Sequence, residues 1–460
     1  MNRLSSREAI TTAFAPSSVA IFGASSDPKK LGHVAVRFLR ETAFAGAVYP
    51  VNPRGGEIQG YKVLRSLEEA PGPVDVAVLF VPAEQAVPTL EQCERAGVKV
   101  AIGITSGFAE SGEAGAAFNA ALGSFLAASP LRLIGPNCEG IVRPDRNLVL
   151  SFSPLVLNLK PGGVAIVSQS GAISGMLAAR LARIGVGIRA IVTTGNENDI
   201  TATDYFDWLA DDPETTVILA YLEEIRDGAR FVDALRRMRG RKRVVINKAG
   251  RSAAGQRAVT SHTGALAGDD RVIDGVLREL GAVRVGDSIA GIDAAAALST
   301  GKVLRGRRIA IVSFAGGLGV EMTDLTELAG LAVPPFRPAL QEALRAHLPF
   351  YGSARNPVDL TGAILSRPES MRNILRIVAD DPDIDGIVAV VTFAQNPAFV
   401  EILAEAARGT DKPLVLCWTA GTETTPEAMK QLGALGVPIF DAPVRAMQAL
   451  AGLARAGGVL

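Results

Sequence analysis

Ten short apolar runs constrain this chain more than any other feature. They fall at residues 19–22, 74–80, 99–104, 164–167, 188–193, 217–221, 244–246, 309–312, 386–391 and 414–417, and stretches with helical periodicity separate them. The runs are Val-, Ile- and Ala-rich and predominantly apolar, instead of alternating apolar with polar. A strand of that composition has both faces covered, which is the condition of a parallel sheet with helices packed on either side. The expected fold class is α/β, built from successive strand–helix units.

A chain of 460 residues is too long for one core, so several domains are expected. Two stretches read as seams: residues 143–163 are Pro- and Gly-rich and weakly periodic, and residues 301–307 form a basic, Gly-punctuated link. They divide the chain into domains at 1–148, 149–300 and 301–460. Lys+Arg and Asp+Glu both number 47, so overall charge provides no attraction for nucleic acid or an anionic membrane. Cys93, Cys138 and Cys417 stand far apart and in no C-x-x-C spacing, which argues against a disulfide framework or a zinc site, and no metal is expected. No apolar run reaches membrane-spanning length, and the first residues lack a basic segment leading into an apolar one. A cytoplasmic protein is expected.

The first domain opens with a strand that enters Gly23-Ala24-Ser25 and reaches Gly32 through Lys29 and Lys30. A strand, a glycine turn and a helix start in that order aim backbone N–H groups at a phosphate in the crevice. The spacing is not G-x-G-x-x-G, and the second strand ends in Asn52-Pro53-Arg54 where an NAD site has an acidic residue for the ribose. Arg54, Lys29 and Lys30 suit a ligand with an extra phosphate, such as coenzyme A; the alternative is that they are solvated surface cations. Val81-Pro82, Ser106-Gly107 and Asn137 stand at further strand ends, where an open α/β sheet lines its ligand crevice.

In the second domain an apolar strand runs into Asn247-Lys248-Ala249-Gly250-Arg251-Ser252, followed by Ser261-His262-Thr263-Gly264-Ala265. A lone His among Ser, Thr and Gly has the surroundings of a mobile loop, and we read it as a phosphoryl carrier; an ordinary surface His is the alternative. The strand at 217–221 leads into Glu223 and Glu224. A carboxylate bonded to one imidazole nitrogen fixes the tautomer and frees the other nitrogen to attack. Both carboxylates also suit the start of the next helix.

A repeat supplies anion sites. Ser168-Gln169-Ser170-Gly171 and Ser313-Phe314-Ala315-Gly316-Gly317 each follow an apolar strand and open a helix, at an offset of 145 residues. The helix N-termini offer free N–H groups and partial positive charge; tight strand-to-helix turns are the plain account. Asn356-Pro357-Val358-Asp359 follows, and Asp359 suits either an active-site contact or an Asx-type turn.

As a set, Gly-Ala-Ser, Asn-Pro, Gly-Pro-Asn-Cys-x-Gly, Ser-Gln-Ser-Gly, Lys-x-Gly-Arg-Ser and Ser-His-Thr-Gly-Ala-Leu resembles the NDP-forming acyl-CoA synthetases, relatives of the succinyl-CoA synthetase α subunit, from Ala13 onward. The resemblance implies an N-terminal Rossmann-like CoA-binding domain followed by two flavodoxin-like domains. It implies that acyl-CoA, phosphate and ADP interconvert with the acid, CoA and ATP through an acyl phosphate and a phosphohistidine. His262 falls on the phosphohistidine, Glu223 on the Glu of Tyr-x-Glu, and the two glycine turns on paired helices that hold the phosphoryl group. No ATP-grasp stretch and no Walker A motif occur in the sequence. A separate ATP-grasp β subunit, carrying ADP or ATP with Mg2+ in an α2β2 assembly, is therefore expected. The rivals are a non-catalytic CoA-binding or CoA-sensing protein and an NAD-binding oxidoreductase, which the missing ribose acid disfavours.

Overall fold

The computed structural model describes the backbone of residues 3–263, 269–392, 397–420 and 426–460, and the side chains of all of these except 261–263. Two units emerge, Met1–Ala179 with Gly187–Leu280, and Arg180–Val186 with Gly281–Leu460.

Unit 1 holds two sheets. The first takes β1 (Ser18–Phe22), β2 (Ala47–Val51), β5 (Val76–Leu79), β6 (Val100–Gly103) and β7 (Arg132–Ile134) in the order β2-β1-β5-β6-β7, all parallel, with β3 (Glu57–Ile58) and β4 (Tyr61–Lys62) as a side hairpin. Every residue of β1, β5 and β6 is buried, because helices cover both faces; this is why their sequences are apolar without alternation.

Strand β1 turns at Gly23, whose φ is +75°, before the helix Leu31–Glu41. A Cβ on Gly23 would stand 2.2 Å from the Phe80 carbonyl oxygen, and one on Gly32 would stand 2.3 Å from the Gly23 carbonyl oxygen. Turn, helix and the end of β5 thus approach to backbone contact. Gly23→Ala adds a clash to a left-handed φ and is expected to cost about 3 kcal/mol. A urea midpoint equal to that of the native chain would refute this.

The second sheet of unit 1 uses β8 (Ile141–Arg143), β9 (Leu148–Leu150), β10 (Pro161–Ser168), β11 (Ile188–Thr193), β12 (Val217–Leu222) and β13 (Arg243–Lys248), in the order β13-β12-β10-β11-β8-β9. The central strands are parallel, whereas β8 runs antiparallel to β11 and β9 antiparallel to β8. The stretch read as a seam therefore begins with a hairpin. Its strands are three residues each, too short to register as periodicity. The two sheets of unit 1 are tied by buried Arg132 at the start of β7. Its guanidinium reaches both carboxylate oxygens of Asp199 at 2.8 and 2.9 Å and the Leu4 carbonyl at 2.6 Å. The same carboxylate accepts the Leu133 N–H at 2.9 Å.

Unit 2 opens with the short β14 (Val283–Arg284) and contains β15 (Ile309–Ser313), β16 (Val358–Asp359), β17 (Gly386–Val391), β18 (Leu414–Trp418) and β19 (Ile439–Phe440), parallel in the order β16-β15-β17-β18-β19. Behind them the Ala-rich helix Ser288–Leu298 packs along Pro443–Ala456. Fully buried Asp293 receives Arg445 there at 2.6 Å.

The stretch around His262 departs from expectation. A helix spans Ala253–Thr263 where a loop was read. The Ser252 hydroxyl accepts the Gly255 N–H at 3.0 Å and starts it, and Ala253, Ala254, Gln256, Arg257 and Ala258 are good helix formers. His262 occupies its last turn; its imidazole, and Gly264 and Ala265, lie outside what the structure describes.

Candidate functional site

The first sheet of unit 1 opens at its carboxyl end into a cleft of about 770 Å³, lined by Gly23, Ser25, Lys30, Leu31, Gly32, Asn52, Pro53, Arg54, Phe80, Val81, Pro82, Ile104, Thr105 and Ser106. The size suits one elongated ligand. Nine residues named from the sequence for CoA line it: Gly23, Ser25, Lys30, Gly32, Asn52, Arg54, Val81, Pro82 and Ser106. They come together because all stand at the ends of adjacent parallel strands or in the turns that follow.

The other four do not line that cleft. Ala24 is buried, and its carbonyl accepts the Asn52 amide at 2.6 Å, which holds the Asn52 turn against the glycine turn. Lys29 is exposed, with its N–H on the Asp27 carboxylate at 2.9 Å. Gly107 donates to Glu110 at 2.6 Å. Asn137 donates to Asn196 at 3.2 Å, and Asn196 in turn donates to Glu110. The polar chain Asn137–Asn196–Glu110 thus joins loops of the two sheets in unit 1, and Glu110 was not foreseen. Its hydrogen bonds hold its pKa below the ordinary carboxylate value against the opposing effect of burial.

The Ser-Gln-Ser-Gly turn lies at the carboxyl end of β10. Ser168 is fully buried; its hydroxyl donates to the Ser170 carbonyl at 2.6 Å and accepts the Ser170 N–H at 3.1 Å, bending the chain into the helix Gly171–Arg183. In unit 2, Ser313 repeats the arrangement on Ala315 at 2.7 and 3.2 Å, ahead of the helix Gly316–Leu328. The 145-residue repeat is therefore a repeat of geometry. Both helices end before a glycine of positive φ, +83° at Gly185 and +84° at Gly330. Asp359 lies against the second turn: a Cβ on Gly316 would stand 2.9 Å from its Oδ2, while Oδ1 accepts the Thr361 N–H at 3.0 Å.

Gln169 is where the first turn differs, since unit 2 has Phe314 at that place. Its Oε1 accepts the backbone N–H of Glu223 at 2.5 Å and of Glu224 at 2.9 Å. Its Nε2 donates to Glu197 Oε1 at 2.9 Å and to the Glu224 carbonyl at 3.0 Å. One amide thus fastens the end of β12 to the Gly171 turn.

Glu223 and Glu224 follow β12 without starting a helix. The next helix is Gly228–Met238, capped by Asp227, so the helix-start account of the two carboxylates fails. Glu223 is buried, and its carbonyl accepts buried Lys248 at 2.7 Å. The Tyr221 hydroxyl bonds to the Glu223 side chain; burial, then the charge of Glu223, pushes the phenol up to about 12. Tyr221 remains a donor at neutral pH and holds the carboxylate in one orientation.

Glu197 is a clamp within this structure. Only 3% exposed and at φ +52°, its Oε1 accepts Thr194 at 2.7 Å, Gln169 at 2.9 Å and the Ala202 N–H at 3.0 Å. Burial raises its pKa against those bonds. Arg226, absent from the residues named from the sequence, donates to the Glu197 and Asn196 carbonyls at 2.7 and 3.0 Å and to Glu224 at 3.0 Å. Cys138 is no nucleophile: burial pushes its thiol up to about 12. Among the described residues no group of His, Cys, Asp and Glu is placed to hold a metal ion, and no helix is long and apolar enough to cross a membrane.

These features define a class. The CoA binding domain family matches residues 17–144, the succinyl-CoA ligase like flavodoxin domain residues 161–298, and the Ligase-CoA domain residues 309–458. The α subunit of ADP-forming acetate–CoA ligase I from Pyrococcus furiosus is 36% identical over 96% of both chains. ADP-forming acetate–CoA ligase I from Archaeoglobus fulgidus is 33% identical over 96% of this chain, which spans 63% of that relative. The dinucleotide forming acetyl-coenzyme A synthetase 1 of Ca. Korarchaeum cryptofilum, solved in complex with phosphate and ADP, superposes with a TM-score of 0.87 at 30% identity, covering 97% of this chain and 96% of the other. The chain belongs to the family of ADP-forming acyl-CoA synthetase α subunits.

Proposed function

We propose that this chain is the CoA-binding and self-phosphorylating half of an acid–CoA ligase, in domains at 1–148, 149–300 and 301–460. CoA lies along the cleft of the first sheet, over Gly23, Ala24, Ser25 and Gly32, with Asn52, Arg54, Val81, Pro82, Ser106, Gly107 and Asn137 around it and Lys29 at its phosphate end. Phosphate binds at Ser168, Gln169, Ser170 and Gly171, attacks the thioester carbonyl and displaces the CoA thiolate, which leaves with the phosphate proton. The acyl phosphate then passes its phosphoryl group to a neutral His262 nitrogen and the carboxylic acid departs. Glu223 orients the imidazole and offsets its charge once phosphorylated. Gly316 and Gly317 form the second phosphate-binding turn. The phosphoryl group goes on to ADP, held with Mg2+ by an ATP-grasp β subunit in an α2β2 assembly.

The observation that carries this reading is the Gln169 clamp, which makes the Glu223 segment and the phosphate-binding helix end one rigid piece. The relatives support the division of labour. Some are separate α subunits of this length, and others carry additional chain in one polypeptide.

The test is to incubate the chain with labelled phosphate and an acyl-CoA. An acid-labile, base-stable label on the protein is expected; a CoA-sensing protein acquires none. Full ATP synthesis by the chain alone would refute the need for a partner.

Arg54 provides a second check. Removing one cation from a phosphate contact typically costs about 1–2 kcal/mol, roughly 5- to 30-fold. Arg54→Ala is expected to raise the KM for CoA by that factor while leaving dephospho-CoA unaffected. Equal losses with both would place Arg54 away from the 3′-phosphate.

A further inference from the structure

The first turn of the Gly171 helix has a neighbour that no step above uses. Glu139 lies between β7 and β8, and its backbone N–H donates to the Thr193 hydroxyl at 2.7 Å. Its side chain folds onto the helix end: a Cβ on Gly171 would stand 2.4 Å from Glu139 Cγ, 2.9 Å from Cδ and 3.0 Å from Oε1. The buried Ser153 hydroxyl bonds to the carboxyl. Of its two oxygens, Oε2 is enclosed and has no hydrogen-bond partner among the described residues. Enclosure raises the pKa of the group, with Ser153 acting against it. Asp359, the carboxylate at the equivalent turn of unit 2, is tied down by the Thr361 N–H and differs in this respect.

A carboxylate has about four acceptor positions, and leaving an enclosed one unfilled is unfavourable. A ligand that supplies a donor resolves it once the carboxyl turns about its soft terminal torsion to present that oxygen. Position indicates which ligand. A phosphate oxygen held by the Gly171 turn must come within bonding distance of the acyl carbon. Groups on the next two carbons of the acyl chain are then within reach of a carboxyl that touches Gly171.

We propose that Glu139 is a specificity-determining residue that selects acyl groups bearing a hydrogen-bond donor, a hydroxyl or ammonium on carbon 2 or 3, over plain alkyl chains. It also disfavours a second carboxylate, because like charges would meet in an enclosed site. The inference rests on the synthetase reading and on phosphate binding at the Gly171 turn.

The experiment uses the full chain with arsenate in place of phosphate. Arsenate displaces the thiol as phosphate does, and the acyl arsenate hydrolyses by itself, so turnover needs no nucleotide. CoA release is compared for lactoyl- and propionyl-CoA, for 3-hydroxybutyryl- and butyryl-CoA, and for succinyl-CoA. The native chain is expected to favour each hydroxylated thioester at least about tenfold in kcat/KM and to use succinyl-CoA worst. Glu139→Leu is expected to bring each pair within about twofold, chiefly by slowing the hydroxylated member, and Glu139→Gln to keep part of the preference. Should Glu139→Leu fail to fold, the native ratios and Glu139→Gln decide.

Equal use of both members by the native chain overturns the proposal, as does a preference that survives Glu139→Leu. A lower KM for arsenate in Glu139→Leu with unchanged acyl ratios also overturns it, and marks Glu139 as a resident anion of the helix end. Release without discrimination sinks this proposal alone; release from no thioester sinks the synthetase reading with it.

Discussion

His262→Ala is expected to take up no label from phosphate and acyl-CoA, a loss of at least about 10³-fold, while still releasing CoA from acyl-CoA in arsenate. On the proposed reading the two results separate because thioester cleavage requires only the turn at Gly171, whereas phosphoryl transfer requires the nitrogen lone pair of His262. His33 is no substitute: it is buried, with Nδ1 on the Ser25 carbonyl at 2.9 Å and Nε2 near Gln59 at 3.1 Å. Glu223→Gln keeps the shape and removes the charge, and it is expected to slow labelling roughly 10- to 100-fold without changing arsenate-driven release. Parallel loss of both activities in His262→Ala would show that the histidine shapes the acyl site instead of carrying the phosphoryl group.

Gln169→Leu is expected to have the larger effect on the folded state. The change removes four hydrogen bonds at once. It strands the N–H groups of Glu223 and Glu224 and takes one donor from the buried Glu197 carboxylate, at a cost of about 3–5 kcal/mol. Labelling should fall more than tenfold even below the unfolding transition, because the Glu223 segment is no longer fastened to the Gly171 turn. Gln169→Glu tests the same clamp through charge. It sets a second carboxylate against Glu197, whose pKa is already raised by burial, so the pair holds a proton in the folded state that the unfolded chain gives up. A folded-state pKa above the unfolded one gives stability at low pH that is lost as pH rises, so this variant should be closest to native near pH 5 and weakest near pH 8. Equal urea midpoints at both pH values would contradict the clamp.

The central strands were legible because burial on both faces leaves a continuous apolar run, as in β1, β12 and β17. The glycine turns were legible because only glycine tolerates what Gly23 and Gly32 meet. Hairpin β8–β9 was not, being two strands of three residues. The helix Ala253–Thr263 was missed because the Ser, Thr and Gly around His262 outweighed the helix formers just before them. Gln169 was named only as part of a phosphate turn; that its amide also joins two strand ends and Glu197 left no signal in the sequence. Arg226 and Glu110 left no trace, since a single charged residue in a polar loop looks the same whether it is solvated or bonded to a loop far along the chain. The acid in Gly-Pro-Asn-Cys-Glu-Gly was a visible signal, an ionisable residue in an otherwise uncharged turn.

By itself the sequence determined the layered α/β architecture, the family, the duplicated strand–turn–helix unit and most of the residues of the cleft, because each depends on local pattern: burial period, glycine tolerance and strand-end position. Tertiary structure alone decided which side chains meet. That Gln169 holds Glu223, that Arg226 and Glu197 close one loop on another, and that Glu139 lies on the Gly171 helix end all depend on contacts between segments distant in the chain. Such contacts are set by how sheets and loops pack, and no spacing along the chain encodes them.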